Sequence, residues 1–146
     1  MSHIHSIGTI PCTVEDDVEY LLLGLRPGTN DWDWMGGKTN AGETGRQAYE
    51  REIDEETPDL MRDLILGETL FGIEYKIHTK EGMIHVLKCR IPKGIDLSPG
   101  KYHTQYQWFS KKEVEEAWIN KTTLGGYPLR TYLKNLFSNE GMLEFL

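Results

Sequence analysis

No stretch of this chain stays apolar for the roughly 18 residues a helix needs to cross a bilayer, so no membrane span is expected. Cysteine is scarce. Cys12 and Cys89 are too few for a disulfide framework, and a reducing compartment, the cytoplasm, is the expectation. The opening residues, MSHIHSIGTIPC, hold no basic stretch followed by a long apolar one, so no secretory signal is expected. Basic residues are also short: 16 Lys and Arg face 23 Asp and Glu, a net charge of −7. That balance argues against broad attraction to a nucleic-acid polymer or an anionic membrane. A phosphorylated small molecule stays open as a partner, because a bound cation reverses the local sign. Repeats, low-complexity tracts and linkers are missing too, so residues 1–146 read as a single domain. The 38% of hydrophobic residues supply enough apolar material for a core.

Local patterns place the elements. Ile4–Thr13 reads as extended, Asp16-Asp17 as a turn, and EYLLLGL (Glu19–Leu25) as a buried strand. Residues 27–45 hold five glycines and a proline around Trp32 and Trp34 and read as one long loop, a feature that is usually functional in a compact domain. A helix follows from about Thr44 to Glu56, stopped by Pro58, with a short helical turn after it toward Leu64. Glu68–Thr79 and Met83–Ile91 form a hairpin about Lys80-Glu81-Gly82. Gln105–Phe109 is a short strand. Ser110 and Glu113 have the spacing of a capping box for a helix over Lys111–Ile119. A last helix starts near Pro128. Strands broken by one helix, then strands, then helices predict an α+β chain, an α/β/α sandwich on a mixed sheet.

The negative charge is concentrated. Residues 43–59, ETGRQAYEREIDEETPD, carry seven acids against two bases, so most of the net charge lies in one helical segment. On a helical wheel Glu52, Glu55 and Glu56 share the face of Ala48, at i, i+3 and i+4. Like charges at that spacing cost a bare helix a few tenths of a kcal/mol per pair. A divalent cation resolves the conflict, since magnesium prefers carboxylate oxygens and keeps waters for substrate phosphates. Upstream, Gly36-Gly37-Lys38 lets the backbone approach a ligand and adds a cation suited to phosphate. Arg26, at the end of the buried strand, is a further candidate for phosphate, and Trp32 a candidate for stacking a nucleobase.

Gly37, five residues, Glu43, seven residues, Arg51-Glu52-Ile53, one residue, then Glu55-Glu56 resembles the sequence box of the Nudix hydrolases. The box covers about 23 residues, and the flanking order of strand, glycine loop, helix and hairpin agrees with that fold. One departure stands out: Pro58-Asp59 occupies the place where the family has glycine and an aliphatic residue at the helix exit, so the exit path must differ. The resemblance implies a catalytic loop-helix-loop and a Mg²⁺- or Mn²⁺-dependent hydrolase of nucleoside diphosphates linked to another group. By matching position, Glu52, Glu55, Glu56 and the Gly36 carbonyl are the implied metal ligands. Arg51 is implied to hold a glutamate, Glu43 to support that pairing, and Glu52 is the first choice of general base. A further glutamate that some members carry before a His-x-x-Tyr-x-Trp stretch is Tyr102 here, ahead of His103, Tyr106 and Trp108.

The substrate cues divide. Trp34-Met35-Gly36-Gly37-Lys38 resembles the MutT-type nucleoside triphosphate enzymes, whereas Tyr75 is similar to a tyrosine of the dinucleoside polyphosphate hydrolases. A triphosphate cut to monophosphate and pyrophosphate ranks first and a dinucleoside polyphosphate second. A non-catalytic nucleotide sensor, a different class, is disfavoured by the complete set of box glutamates.

Overall fold

The computed structural model describes residues 3–100 and 102–146. The expected first extended segment splits at Ile10-Pro11 into β1 (Ile4–Thr9) and β2 (Cys12–Glu15). Asp16 and Asp17 both take positive φ, and the tight turn they make joins β2 to β3 (Val18–Leu25). The long glycine-rich stretch is only partly loop. It contains β4 (Trp32–Asp33) and β5 (Met35–Lys38), because its backbone folds back on β3 and then pairs with the distant β1.

Next come α1 (Gly45–Glu56), α2 (Asp59–Glu68), β6 (Thr69–His78) and β7 (Met83–Cys89). The chain ends with β8 (Gln105–Ser110), α3 (Lys111–Asn120), α4 (Thr131–Phe137) and the one-turn α5 (Met142–Phe145). Thus α2 runs a turn beyond the expected short one, α4 starts later than Pro128, and α5 was not foreseen.

Both expected helix starts have a local cause. Thr44 and Gln47 close a capping box on α1, and Ser110 and Glu113 close one on α3. At the exit of α1 the chain stays extended through Thr57 (φ −124°) and Pro58 (φ −63°), so proline replaces glycine without strain, and Pro58 opens α2. The Thr57 hydroxyl donates to the Ile53 carbonyl at 2.6 Å.

The strands form two four-stranded sheets rather than one. The first has the order β5-β1-β7-β6 and is mixed, with β1 and β7 parallel. The second is built on β3, with β2 and β4 successively along one edge and β8 along the other, all antiparallel. Gly8 and Gly36 face each other where β5 meets β1. A Cβ on Gly36 would lie 2.5 Å from the Gly8 Cα, so only glycine permits this approach.

Helices cover the two sides. One core packs Ala48, Tyr49 and Ile53 of α1 and Met61 and Ile65 of α2 against Leu22, Met35 and Leu87. The other packs Leu133, Leu136 and Phe137 of α4 and Val114 of α3 against Leu21, Leu23, Leu25 and Val86. Successive residues of β3 therefore enter opposite cores, which is why the strand reads as an unbroken apolar run. The result is the α/β/α sandwich expected from the order of elements. No helix among the described residues is long and apolar enough to cross a membrane.

Candidate active site

The packing of α1 on the edge strand β5 builds the site. Gly36 turns its N–H outward to the Glu56 carboxylate (2.8 Å) rather than to β1. In an extended strand the N–H and C=O of one residue leave on the same side, so the Gly36 carbonyl shares that edge. Gly37 follows. A Cβ there would stand 2.5 Å from the Glu52 carboxylate, so glycine is what admits Glu52 to the strand.

Arg51 organises the acidic helix. Its guanidinium grips Glu43 with two bonds (2.8 and 3.0 Å) and donates to Glu52 (2.8 Å) and to the Lys38 carbonyl (2.9 Å), with Glu55 at 3.4 Å. The bidentate grip orients Arg51, and its remaining donors aim Glu52. Glu43 also accepts from the Asn40 N–H. Its carboxyl is held below the usual range, chiefly by Arg51.

Glu52 and Glu56 line a cleft of about 540 Å³, with Arg26, Asp33, His103 and Arg130 on its other walls. Glu56 is 4% exposed. Burial, reinforced by the neighbouring Glu52 and Asp33 charges, pushes its carboxyl up to about 10. His103, 1% exposed, sits with Nε2 4.0 Å from Glu56, and burial drives it down to about 4, so it is neutral at pH 7. The Tyr106 hydroxyl fastens this corner by donating to the Glu56 carbonyl (2.6 Å), and His103 Nδ1 lies 3.3 Å from that hydroxyl. Gly24 makes room for the imidazole: a Cβ there would meet the ring at 2.6 Å.

Among the described residues no three acidic, His or Cys side chains are already drawn together around an ion. The donor set still fits a hard divalent cation. Two carboxylates converge in a cleft where one of them is strongly disfavoured as an anion, and a backbone carbonyl stands beside them. Glu52, Glu56 and the Gly36 carbonyl are the residues that would hold it. Glu55 lies on the flank, its side chain 41% exposed against Arg51, where it would join only by rotating inward.

Other expected residues fall differently. Arg26 lines the cleft, fixed by two 2.7 Å bonds to Asp31. Lys38 is exposed at the end of β5, outside the cleft wall, and it is its carbonyl that Arg51 engages. Trp32 cannot stack a base. It is fully buried, edge-on to Phe109, with its indole N–H donated to the Leu124 carbonyl. Tyr75 is not at the site. Its ring packs on Phe145 and its hydroxyl donates to the Glu140 carbonyl, so it anchors the C-terminal segment.

Asp33 and Arg130 were missed as site residues, and His103, singled out in the His-x-x-Tyr-x-Trp stretch, was not assigned to the site. For Asp33 a signal was present. In Trp32-Asp33-Trp34 the period of two sends both indoles to one core and the carboxylate to the opposite face. Arg130 had none, since it reaches Asp33 (2.9 Å) from 97 residues away.

The two sheets with helices on their outer sides share the fold of Nudix hydrolases of known structure. The structure is similar to a C. elegans Ap4A hydrolase solved as a binary complex (TM-score 0.59, 14% identity, over 76% of this chain and 83% of that one). It is similar over its whole length to a NUDIX-family hydrolase from Clostridium perfringens (TM-score 0.55, 14% identity, 100% and 99% covered). A MutT protein from Methanosarcina mazei Go1 is also similar (TM-score 0.54, 21% identity, 98% and 91% covered). No protein-family model matches the sequence, and no curated protein does.

Proposed function

We propose that this chain is a Mg²⁺- or Mn²⁺-dependent pyrophosphohydrolase of nucleoside diphosphate derivatives, cutting a nucleoside triphosphate to the monophosphate and pyrophosphate. The observation that carries the reading is the Glu52–Glu56 pair beside Gly36, converging in a cleft where burial and the neighbouring carboxylates penalise the Glu56 charge unless a cation is bound. When bound, the cation neutralises phosphate oxygens and lowers the pKa of water. The chain's own residues do the rest. Glu52, Glu56 and Gly36 fix where the anhydride lies, and Arg51, clamped by Glu43, keeps Glu52 in one orientation. Glu52 takes the proton of the attacking water. Arg26 presents its guanidinium edge to the phosphate chain.

Tyr75, committed to Glu140, gives no support to a bridged dinucleotide, so the triphosphate leads. The test is phosphorus NMR of products from nucleoside triphosphates and a dinucleoside tetraphosphate in H₂¹⁸O with magnesium. Monophosphate and pyrophosphate, with the label on one of them, are expected. Turnover of the tetraphosphate alone would move the assignment to the bridged class, and nucleotide binding without any product would make the chain a sensor.

A further inference from the structure

The cleft has a second charged end that the hydrolytic residues do not use. In β4, Asp33 faces the cleft while Trp32 fills the core, and Asp31 stands just before the strand. Each aspartate holds an arginine from a different neighbour: Asp31 grips Arg26 beyond β3, and Asp33 takes Nη1 of Arg130 at 2.9 Å. Arg130 is delivered by backbone pairing. The Trp32 N–H donates to the Pro128 carbonyl and the Arg130 N–H to the Trp32 carbonyl, both at 2.9 Å. Asp33 is 3% exposed, whereas the Arg130 side chain remains about a third exposed and lines the cleft with Arg26, Glu52 and Glu56. Among the described residues Asp33 engages one N–H of Arg130, and a guanidinium has five in a planar fork suited to phosphate oxygens.

We propose that Arg130, positioned by Asp33, acts with Arg26 as the subsite for the part of a polyphosphate chain that extends beyond the cleaved bond. This deepens the proposed function and rests on it for the placing of the anhydride at Glu52 and Glu56. The two aspartates offset the arginine charges and hold both forks in place. A chain of three or more phosphates then spans from the carboxylate end to the guanidinium end. An uncharged group in place of the distal phosphate offers no anion to the Arg130 N–H groups that Asp33 does not engage, so the pair selects for polyphosphates over nucleotide sugars.

The probe is inorganic tripolyphosphate, titrated calorimetrically with magnesium present, so binding is read without turnover. The Asp33→Asn/Arg130→Gln double variant keeps a neutral hydrogen-bonding pair and avoids stranding the buried carboxylate. It should bind tripolyphosphate at least tenfold more weakly than the wild type. In turnover, kcat/KM should fall at least tenfold more for a nucleoside triphosphate than for a nucleoside diphosphate sugar. Arg130→Lys keeps the charge but loses the fork, and it should weaken binding by a smaller factor if the double variant proves unstable. Wild-type affinity in either variant, or no tripolyphosphate binding by the wild type, overturns the subsite. Arg130-dependent binding by a protein that hydrolyses no nucleotide would sustain the subsite and defeat the hydrolase reading.

Discussion

Glu56 shows how one residue takes its chemistry from its position. On the helical wheel it is one of three like carboxylates, but only in the fold does it become 4% exposed and flanked by Glu52 and Asp33. Glu56→Gln keeps the shape and the bond from Gly36 and removes the charge. Turnover at limiting magnesium should fall at least tenfold, about 1.4 kcal/mol of barrier. Without metal the variant should be no less stable than the wild type, because a buried carboxyl has been replaced by a neutral group. Millimolar magnesium should raise the wild-type thermal midpoint, by about 2.7 kcal/mol of stability at a hundredfold excess over Kd, and should raise that of the variant less. Equal shifts in both proteins would remove Glu56 from the metal site. Gly37→Ala tests the strand edge. The added methyl meets the far end of the Glu52 side chain at 2.5 Å, which can swing aside, so folding should persist. Activity should drop about tenfold, and an unaltered rate would show that the placement of Glu52 on Gly37 does not matter.

At the scale of elements, α1 collects the box residues on a frame set by short-range rules. Its start rests on Thr44, whose hydroxyl accepts from the Gln47 N–H (3.1 Å) while Gln47 returns a bond to the Thr44 N–H (2.9 Å). Thr44→Ala should lower stability by about 1 kcal/mol. Denaturant melts would show a lower midpoint with an unchanged slope, and kcat should hold, since Thr44 is outside the cleft. The limits of α1 and α3, the β6–β7 hairpin and the α3 capping box were legible because residues within four positions decide them. The strands β4 and β5 were not, because a glycine-rich segment of two to four residues carries too little periodicity. Their pairing is decided by β1 and β3.

The molecule as a whole shelters two histidines, and they contribute to its response to acid. His103 and His85 are buried, and burial is the main reason both pKa values are lowered, His103 to about 4. The unfolded chain binds their protons near pH 6.5. Their contribution to stability is therefore fully present above that pH and declines as pH falls toward the folded values. Glu56, raised to about 10, acts in the opposite direction over the same pH range, so the histidine contribution is read by difference: between pH 7.5 and 4.5 the wild-type thermal midpoint should lose more, or gain less, than that of His85→Asn. Identical pH profiles for the wild type and His85→Asn would contradict the buried neutral state of His85. By itself the sequence determined what depends on neighbours along the chain: the carboxylate face of α1, the caps, the hairpin, and the spacing of Gly37, Glu43 and Arg51 that the fold turns into one network. Tertiary structure alone decided which side chains are buried and which distant ones meet. It sent Trp32 to the core, gave Tyr75 to Glu140, set His103 beside Glu56, and brought Arg130 to Asp33. The reason is physical. Helical and strand periods act over a few residues, whereas burial and long-range ion pairs exist only after the two sheets have closed on their helices.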